Sequence, residues 1–343
     1  MKAMLLEQFN QDLKWSEVPD PEPKSDEVLI RVRANGVCAT DLKMMDGIVS
    51  TVTLPHILGH EVAGEIEQVG ADVPGLKIGD HVTVYPTLGC GYCDACRHGI
   101  ENLCLSAPRT GFETNGGFAQ YMVTRGVNAI KVSPDMPFEE AAILPDAVAA
   151  VYYALTQRAK VTVGETVLVI GVGGLGIHAL QIARIAGAKA IAVDVVPEKL
   201  QAAKDLGAHA VINSREEDLC ERVMDLTDGQ GADVVAEVVG GSMVTEILKQ
   251  SLSCIRIGGR LLVLGYTYGE MLEVDTADVI YGQWSMLGTR ASRLQDVVEV
   301  ARLAESGLLK PIVSGRYPLQ EANQALATLR ETSPLGRLVL TSK

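Results

Sequence analysis

Val167-Leu-Val-Ile170 runs directly into Gly171-Val-Gly173-Gly174-Leu-Gly176, and the reading of this junction decides the fold. The short apolar run reads as a buried strand, and Leu175, Ala179, Ile182 and Ala186 then recur at the spacing of one helix face. Gly187 ends that helix, and a second apolar run, Ala190-Ile-Ala-Val193, closes on Asp194, 23 residues beyond Gly171. Glycines at this spacing permit a tight turn, a close approach of the backbone to a pyrophosphate, and close packing of helix on strand. The helix N-terminus adds free N–H groups and the positive end of the dipole. An acid at the end of the second strand accepts both ribose hydroxyls and repels a 2′-phosphate, and no Lys or Arg follows until Lys199. NAD is therefore expected over NADP. A bare glycine-rich turn is the alternative for the six residues alone; strand, loop, helix, strand and acid in order argue against it.

Outward from this stretch, strand and helix alternate between about Ala147 and Arg290. Helices are predicted around Lys199 to Leu206, Glu216 to Leu226 and Met243 to Ile255, and strands at Ala210 to Ile212, Asp233 to Glu237, Arg260 to Leu264 and Trp284 to Leu287. Six strands joined by helices predict an α/β, doubly wound parallel sheet, a Rossmann domain. Before it, short apolar runs at Val28 to Arg33, Val62 to Val69, His81 to Tyr85 and Phe118 to Val123, punctuated by Pro19, Pro21, Pro23, Gly70, Gly75 and Gly79, predict a compact all-β half. After it, helices are expected through Leu303 and from Leu319 to Leu329, with a last strand from Arg337 to Leu340.

The chain has 343 residues, 47% hydrophobic and 21% charged, which allows two domains with separate cores. Its net charge of −13 repels phosphate backbones and anionic lipid surfaces, so neither nucleic acid nor membrane is an expected partner. No run of 18 apolar residues and no leader pattern is evident, and a cytoplasmic location is expected.

Four of the seven cysteines form Cys90-x2-Cys93-x2-Cys96-x7-Cys104. Four thiolates on one short loop close a tetrahedral zinc shell and leave no position for substrate, the mark of a structural site. An iron–sulfur cluster also takes four cysteines, but the last spacing is long for the common ferredoxin run. A second set is dispersed: Cys38 in Gly36-Val-Cys38-Ala-Thr40-Asp41, His60 in Gly59-His60-Glu61, and Asp146 after Pro145. Thiolate, imidazole and carboxylate leave a fourth position open on zinc, as a catalytic site requires. Each also has an ordinary reading, as a core thiol, a hydrogen-bonded core histidine and a helix cap, and spacing alone does not join them.

These motifs together resemble the zinc-dependent medium-chain alcohol dehydrogenase family over the whole chain. The resemblance is carried by Gly59-His60-Glu61-x2-Gly64-x5-Gly70-x2-Val73, the four-cysteine lobe, Cys38-Ala-Thr40-Asp41 and the glycine fingerprint. It implies a GroES-like β-barrel catalytic domain (1–147 and 291–343, structural zinc lobe about 89–105) interrupted by a Rossmann NAD-binding domain (148–290), with the active-site zinc in the cleft between them. By the same match Cys38, His60 and Asp146 hold the catalytic zinc and Glu61 is a neighbour able to approach it. Asp41 fixes the ring of His60, and Thr40 takes the proton of the alcohol. Gly171, Gly173, Gly174, Gly176, Asp194, Lys199, Leu264 and Gly265 are the implied contacts to NAD. Two zinc ions per chain, a homodimer or homotetramer, and hydride transfer between an alcohol and NAD follow from it.

The chain departs from the family pattern at Asp146, where many members carry Cys or Glu, at Lys43, where a relay histidine is common, and at Ala150, which replaces a threonine. Asp146-Ala-Val148 is similar to members that oxidise cyclic hydroxyacyl-CoA thioesters. Met44, Met45, Ile48 and Val49 lie in a weakly charged stretch ending at Pro55, which favours an apolar or cyclic alcohol over a sugar. His56 in the same stretch is a candidate substrate contact, and the apolar run Ile280 to Leu287 a candidate sheet edge for a partner subunit. The alternatives are a zinc-independent enoyl or quinone reductase of the same superfamily and a non-catalytic nucleotide-binding protein.

Overall fold

Eleven residues from Glu27 to Val37 form the strand on which the first unit is assembled. The computed structural model describes residues 1–240 and 244–342, so Met243, where one helix is expected to start, and Lys343 lie outside the described residues. Two units emerge: Met1–Ala149 with Ser292–Gly307 and Pro311–Lys343, and Ala150–Ala291 with Leu308–Lys310.

The first unit contains β1 (Lys2–Leu6), β2 (Lys14–Glu17), β3 (Glu27–Val37), β4 (His56–Ile57), β5 (Glu61–Val69), β6 (His81–Val84), β7 (Tyr121–Arg125) and β8 (Ala129–Lys131). It also takes two strands from the tail, β15 (Val313–Pro318) and β16 (Arg337–Thr341). One sheet runs β2-β1-β4 and the other β15-β16-β3-β5-β6-β8, with β7 on the first half of β3. β3 is long because it serves three neighbours, β7 along Glu27 to Arg31, β16 along Ala34 to Val37, and β5 along most of its length. Two register shifts against β5, at Leu29/Ile30 and Val32/Ala34, bend it so that this is possible. Met4, Leu6, Val37, Met44, Leu58, Phe118 and Leu340 pack one core, and Val28, Ile30, Val62, Ile66, Val82 and Met122 another. The unit is not all-β as the turn residues suggested. Before the second unit it carries α1 (Ala39–Met45), α2 (Asp94–Arg97), α3 (Phe138–Ala142) and a π-helical turn over Leu144–Val148, while α10 (Leu294–Glu305) and α11 (Ala322–Thr332) are the two helices expected in the tail. The first three were hidden because they are too short to show a period.

The second unit opens with part of α4 (Ala149–Tyr152) and holds β9 (Thr166–Ile170), α5 (Gly176–Ile185), β10 (Lys189–Asp194), α6 (Pro197–Asp205), β11 (Ala210–Asn213), α7 (Leu219–Leu226), β12 (Ala232–Glu237), α8 (Val244–Leu252), β13 (Ile255–Val263), α9 (Thr276–Gly282) and β14 (Ser285–Gly288). Its six strands are all parallel in the order β11-β10-β9-β12-β13-β14. Every residue of β9 is buried, as a central strand covered on both faces requires. The direction of winding reverses between β9 and β12, so the topological switch point lies at their carboxyl ends. Three boundaries differ from expectation. α7 begins three residues late because Asp218 caps it, accepting from the Glu221 N–H at 2.8 Å. β13 begins at Ile255, five residues early. Ile280 to Gly282 belong to α9, so the sheet edge is only Ser285–Gly288. Among the described residues no helix is long and apolar enough to cross a membrane.

Arg260 fastens the start of β9 to β13. Its Nη1 and Nη2 donate to Glu165 Oε1 and Oε2 at 2.8 and 2.9 Å, and its Nε donates to the Ala159 carbonyl at 3.0 Å. Although burial alone would raise it, this pairing and the Thr162 N–H hold the Glu165 carboxyl below its ordinary 4.5. Arg260→Met is expected to lower stability by about 1–2 kcal/mol at neutral pH. A depressed carboxyl contributes stability above its unfolded pKa and loses it as pH falls through the folded one. Urea unfolding should therefore show the gap between parent and variant closing toward the acid end of the folded range. A gap that stays constant into acid would count against the ion pair as its source.

Candidate functional site

Two sheet registers assemble the first candidate site. Cys38 follows β3 directly and is the N-cap of α1, with extended dihedrals (φ −113, ψ 151). β5 pairs Glu61 with Gly36, and β16 pairs Leu338 with Val37, so His60, Glu61 and Arg337 all arrive beside Cys38. Gly36 is required here: a Cβ on it would lie 1.9 Å from Glu61 Oε2, so the carboxylate folds across the only side-chain-free position of the strand end. Asp146 enters from the π-helical turn, where the wider turn carries its side chain to the same point.

Cys38 Sγ lies 3.6 Å and His60 Nε2 3.7 Å from Asp146 Oδ2, and one donor atom each from Cys38, His60, Glu61 and Asp146 lie within 4.8 Å of one another. A tetrahedral zinc with bonds of about 2.0–2.3 Å sets its ligand atoms about 3.3–3.8 Å apart, so these spacings fit the metal. The mixed sulfur, nitrogen and oxygen donors suit it too. Among the described residues Glu61 Oε2 is buried without a hydrogen-bond partner, an oxygen with unused capacity toward a cation. Asp41 is fully buried. Its Oδ2 accepts from the Cys38 N–H at 2.9 Å while Oδ1 stands 3.2 Å from His60 Nδ1, within ion-pair reach but off hydrogen-bond alignment.

Arg337 is the site residue that sequence reasoning missed. It was read only as the first residue of a strand, yet its Nε donates to Glu61 Oε1 at 2.9 Å and its Nη2 to Asp146 Oδ2 at 3.1 Å, with Cys38 Sγ at 3.6 Å. The signal was a lone Arg opening an otherwise apolar strand. Burial pushes the Glu61 carboxyl up to about 8 even against Arg337. Burial acts the same way on Asp146, but His60 and Arg337 overcome it and hold that carboxyl well below the usual range. His60 is raised well above its ordinary value: burial would lower it, and Asp41 and Asp146 outweigh burial. Thr40 and Lys43 are half-buried on α1, and burial lowers the Lys43 ammonium pKa. His56 is no candidate for substrate contact. It is 3% exposed and its Nε2 lies 3.1 Å from the Gly111 carbonyl.

The second cluster is the four-cysteine loop. Thiol sulfurs of Cys90, Cys93, Cys96 and Cys104 lie within 4.8 Å of one another, with Cys90 and Cys96 at 3.9 Å, close to the tetrahedral edge for zinc–sulfur bonds of about 2.3 Å. The Cys93 and Cys96 N–H groups donate to Cys90 and Cys93 sulfurs at 3.3 and 3.5 Å, an arrangement that favours thiolates. Backbone donors lower Cys104 to about 6, while burial and the neighbouring thiols raise Cys96 to about 12. So many like charges in one place need a cation to ionise together.

In the second unit the glycine loop follows β9. Gly171 has φ +93, and a Cβ on Gly176 would lie 1.7 Å from the Gly171 carbonyl oxygen, so the turn into α5 closes only with glycine there. Asp194 ends β10 and reaches back to the loop: its Oδ2 accepts from Val172 N–H at 2.7 Å, and its Oδ1 from Val195 and Val196 N–H at 2.8 and 3.0 Å. Gly173 and Gly174 lie within the loop, Lys199 is half-buried on α6, and Leu264 and Gly265 directly follow β13.

Residues 24–134 match the family described as alcohol dehydrogenase GroES-like domain, and residues 174–306 the family described as zinc-binding dehydrogenase. The chain is 35% identical over 350 residues to an NAD-dependent alcohol dehydrogenase of Sulfurisphaera tokodaii, spanning 99% of both chains. It is 29% identical over 342 residues to an acryloyl-coenzyme A reductase of the same organism, again over 99% of both. The crystal structure of the alcohol dehydrogenase of Aeropyrum pernix superposes with a TM-score of 0.92 at 34% identity, over 100% of both chains.

Arg337→Met would leave the fully buried Glu61 carboxyl and the half-buried Asp146 carboxyl without their cation. In metal-stripped protein it is expected to cost about 3–5 kcal/mol in urea unfolding, with much of the loss recovered on adding zinc. A stripped variant as stable as its parent would refute this account of the cluster.

Proposed function

The chain belongs to the zinc-containing medium-chain alcohol dehydrogenase family, and on that premise we propose that it oxidises a secondary or cyclic alcohol with NAD, using one catalytic and one structural zinc. The observation that carries the reading is the Cys38, His60, Glu61 and Asp146 donor set, spaced as a tetrahedral metal needs. Cys38, His60 and Asp146 would hold the catalytic metal. Glu61 stands by as a fourth donor whose reach is governed by its bond to Arg337. Zinc bound there supplies Lewis acidity that lowers the alcohol's pKa, and NAD accepts the hydride.

The remaining work falls to the chain's own groups. Asp41 orients His60 so that Nε2 faces the other donors. Thr40, on the turn after Cys38, receives the alcohol proton and passes it outward along α1. Gly171, Gly173, Gly174 and Gly176 admit the pyrophosphate and Asp194 takes the adenosine ribose, with Lys199, Leu264 and Gly265 as further contacts. A carboxylate at Asp146 donates less charge than a second thiolate, which leaves the metal a stronger Lewis acid. Met44, Met45 and Val52 are taken up by the core, so the preference for an apolar or cyclic substrate, including a cyclic hydroxyacyl-CoA, rests on the weakly charged Ile48-Val49 stretch and the Asp146-Ala-Val148 run. A reductase of activated double bonds has the similarity to an acryloyl-coenzyme A reductase in its favour, and the complete metal donor set against it.

Metal analysis and an NAD reduction assay on the parent and on Asp146→Ala test the proposal. Two zincs per chain in the parent are expected, falling to one in the variant with turnover lost. One zinc in both with unchanged turnover would overturn it. We further expect a homodimer or homotetramer built on the β14 edge, beside which Ile280, Tyr281 and Met286 are 69%, 82% and 48% exposed. Light scattering that returns the mass of one chain would reject that assembly.

A further inference from the structure

Glu237 is a fully buried carboxylate at the carboxyl end of β12, outside the metal clusters and with no role in the chemistry above. Three observations give it one. First, it holds two loops at once. Its Oε1 accepts from the Val239 and Gly240 N–H groups at 2.6 and 3.0 Å, and its main-chain carbonyl accepts from Leu264 and Gly265 N–H at 3.0 and 3.3 Å. Second, the loops meet over it: a Cβ on Gly265 would lie 2.3 Å from the Gly240 nitrogen and 2.8 Å from both carboxylate oxygens. Third, Glu237 pairs with Ile170, the residue before Gly171, and Val239 packs on Gly171, where a Cβ would approach its Cγ2 to 2.6 Å.

The place in the fold tells which part of the cofactor this concerns. Asp194 and the glycine loop lie at the ends of β10 and β9, while Glu237 and the two loops lie at the ends of β12 and β13, across the switch point. In a doubly wound sheet a dinucleotide spans that point, one mononucleotide on each half. With the adenosine on the β10 side, the nicotinamide nucleoside falls to the β12–β13 side. Burial pushes the Glu237 carboxyl above its ordinary range, and Oε2 has no hydrogen-bond partner among the described residues. A group so costly to desolvate does little for core stability that an apolar side chain would not do better. What an apolar side chain lacks is an acceptor for loop N–H groups.

We propose that Glu237 is a positioning residue for the nicotinamide half of the cofactor, its buried carboxyl fixing the loop after β12 where that loop packs against the loop after β13 held by its main-chain carbonyl. The inference rests on the NAD reading above. Calorimetric titration of parent, Glu237→Ala, Glu237→Gln and Gly265→Ala with NADH and, separately, with ADP-ribose tests it. The parent is expected to bind both. Glu237→Ala should weaken NADH by about tenfold or more while leaving ADP-ribose within about twofold, and Glu237→Gln, which keeps a carbonyl acceptor, should recover most of the loss. Gly265→Ala, whose methyl would press on both the Gly240 nitrogen and the Glu237 carboxyl and so drive the loops apart, should show the same split and carries the test if the first variant does not fold. Equal losses for both ligands, or NADH affinity within about twofold of the parent in the alanine variants, would overturn the proposal. A glutamine variant as weak as the alanine one would overturn its hydrogen-bond basis. A parent that binds neither ligand would overturn the NAD reading and this inference with it.

Discussion

The pairing of the end of β3 with β5 on one side and β16 on the other is the constraint on which the first unit's chemistry depends. Hydrogen-bond registers are discrete: slipping either strand by one residue turns every side chain to the opposite face. Glu61 reaches the donor cluster only because it pairs with Gly36, and Arg337 only because its neighbour pairs with Val37. A thiolate, an imidazole, two carboxylates and a guanidinium from segments up to about 300 residues apart are thus placed by backbone geometry. Their mutual electrostatics follow from that placement. The guanidinium pairs with both carboxyl groups, and Asp41 braces the imidazole from behind.

The same division between local and long-range order explains what could be read from the residues alone. The four-cysteine loop was legible because its donors sit within fifteen residues, and the structure brings together the four thiols named from spacing. The glycine loop and Asp194 were legible because strand, turn and helix each leave a periodic trace over a short window. The six-stranded parallel sheet followed from them. Cys38, His60 and Asp146 could be joined only through a family resemblance, since no period links a strand end, a strand start and a π-helical turn. Arg337 and Glu237 had only a faint local mark, a lone charge at one end of an apolar strand, and the meaning of each depends on a partner strand that sequence spacing does not identify. Helices α1 to α3 of the first unit went unread for a simpler reason, being shorter than the two turns that an amphipathic pattern needs, whereas α10 and α11 in the tail are long enough to show it.

In both units a carboxylate, buried for Asp41 and Glu237 and half-buried for Asp194, takes up the N–H groups left over where a strand gives way to a loop. Asp41 does so for Cys38, Asp194 for the glycine loop and Glu237 for the turn beyond β12. Loops that must receive a ligand cannot close all of their own hydrogen bonds, and an acid from the neighbouring segment makes up the difference without covering the surface. Ligand-facing backbone is in this way held before any ligand arrives, which lowers the ordering entropy that binding must overcome.

Asp194 carries this further. Because its two oxygens already accept from Val172, Val195 and Val196, the side chain proposed to discriminate between cofactors is also the rivet that keeps the glycine loop in shape. Selectivity and architecture therefore share one residue. Exchanging it for a neutral or basic side chain to admit a phosphorylated ribose would release the turn along with the charge. On the proposed role, a change of cofactor preference through that position alone would come at the expense of the loop's own hydrogen bonds. Avoiding that loss requires a second substitution that refastens Val172; without it, the evolutionary path between the two cofactors passes through a slackened loop.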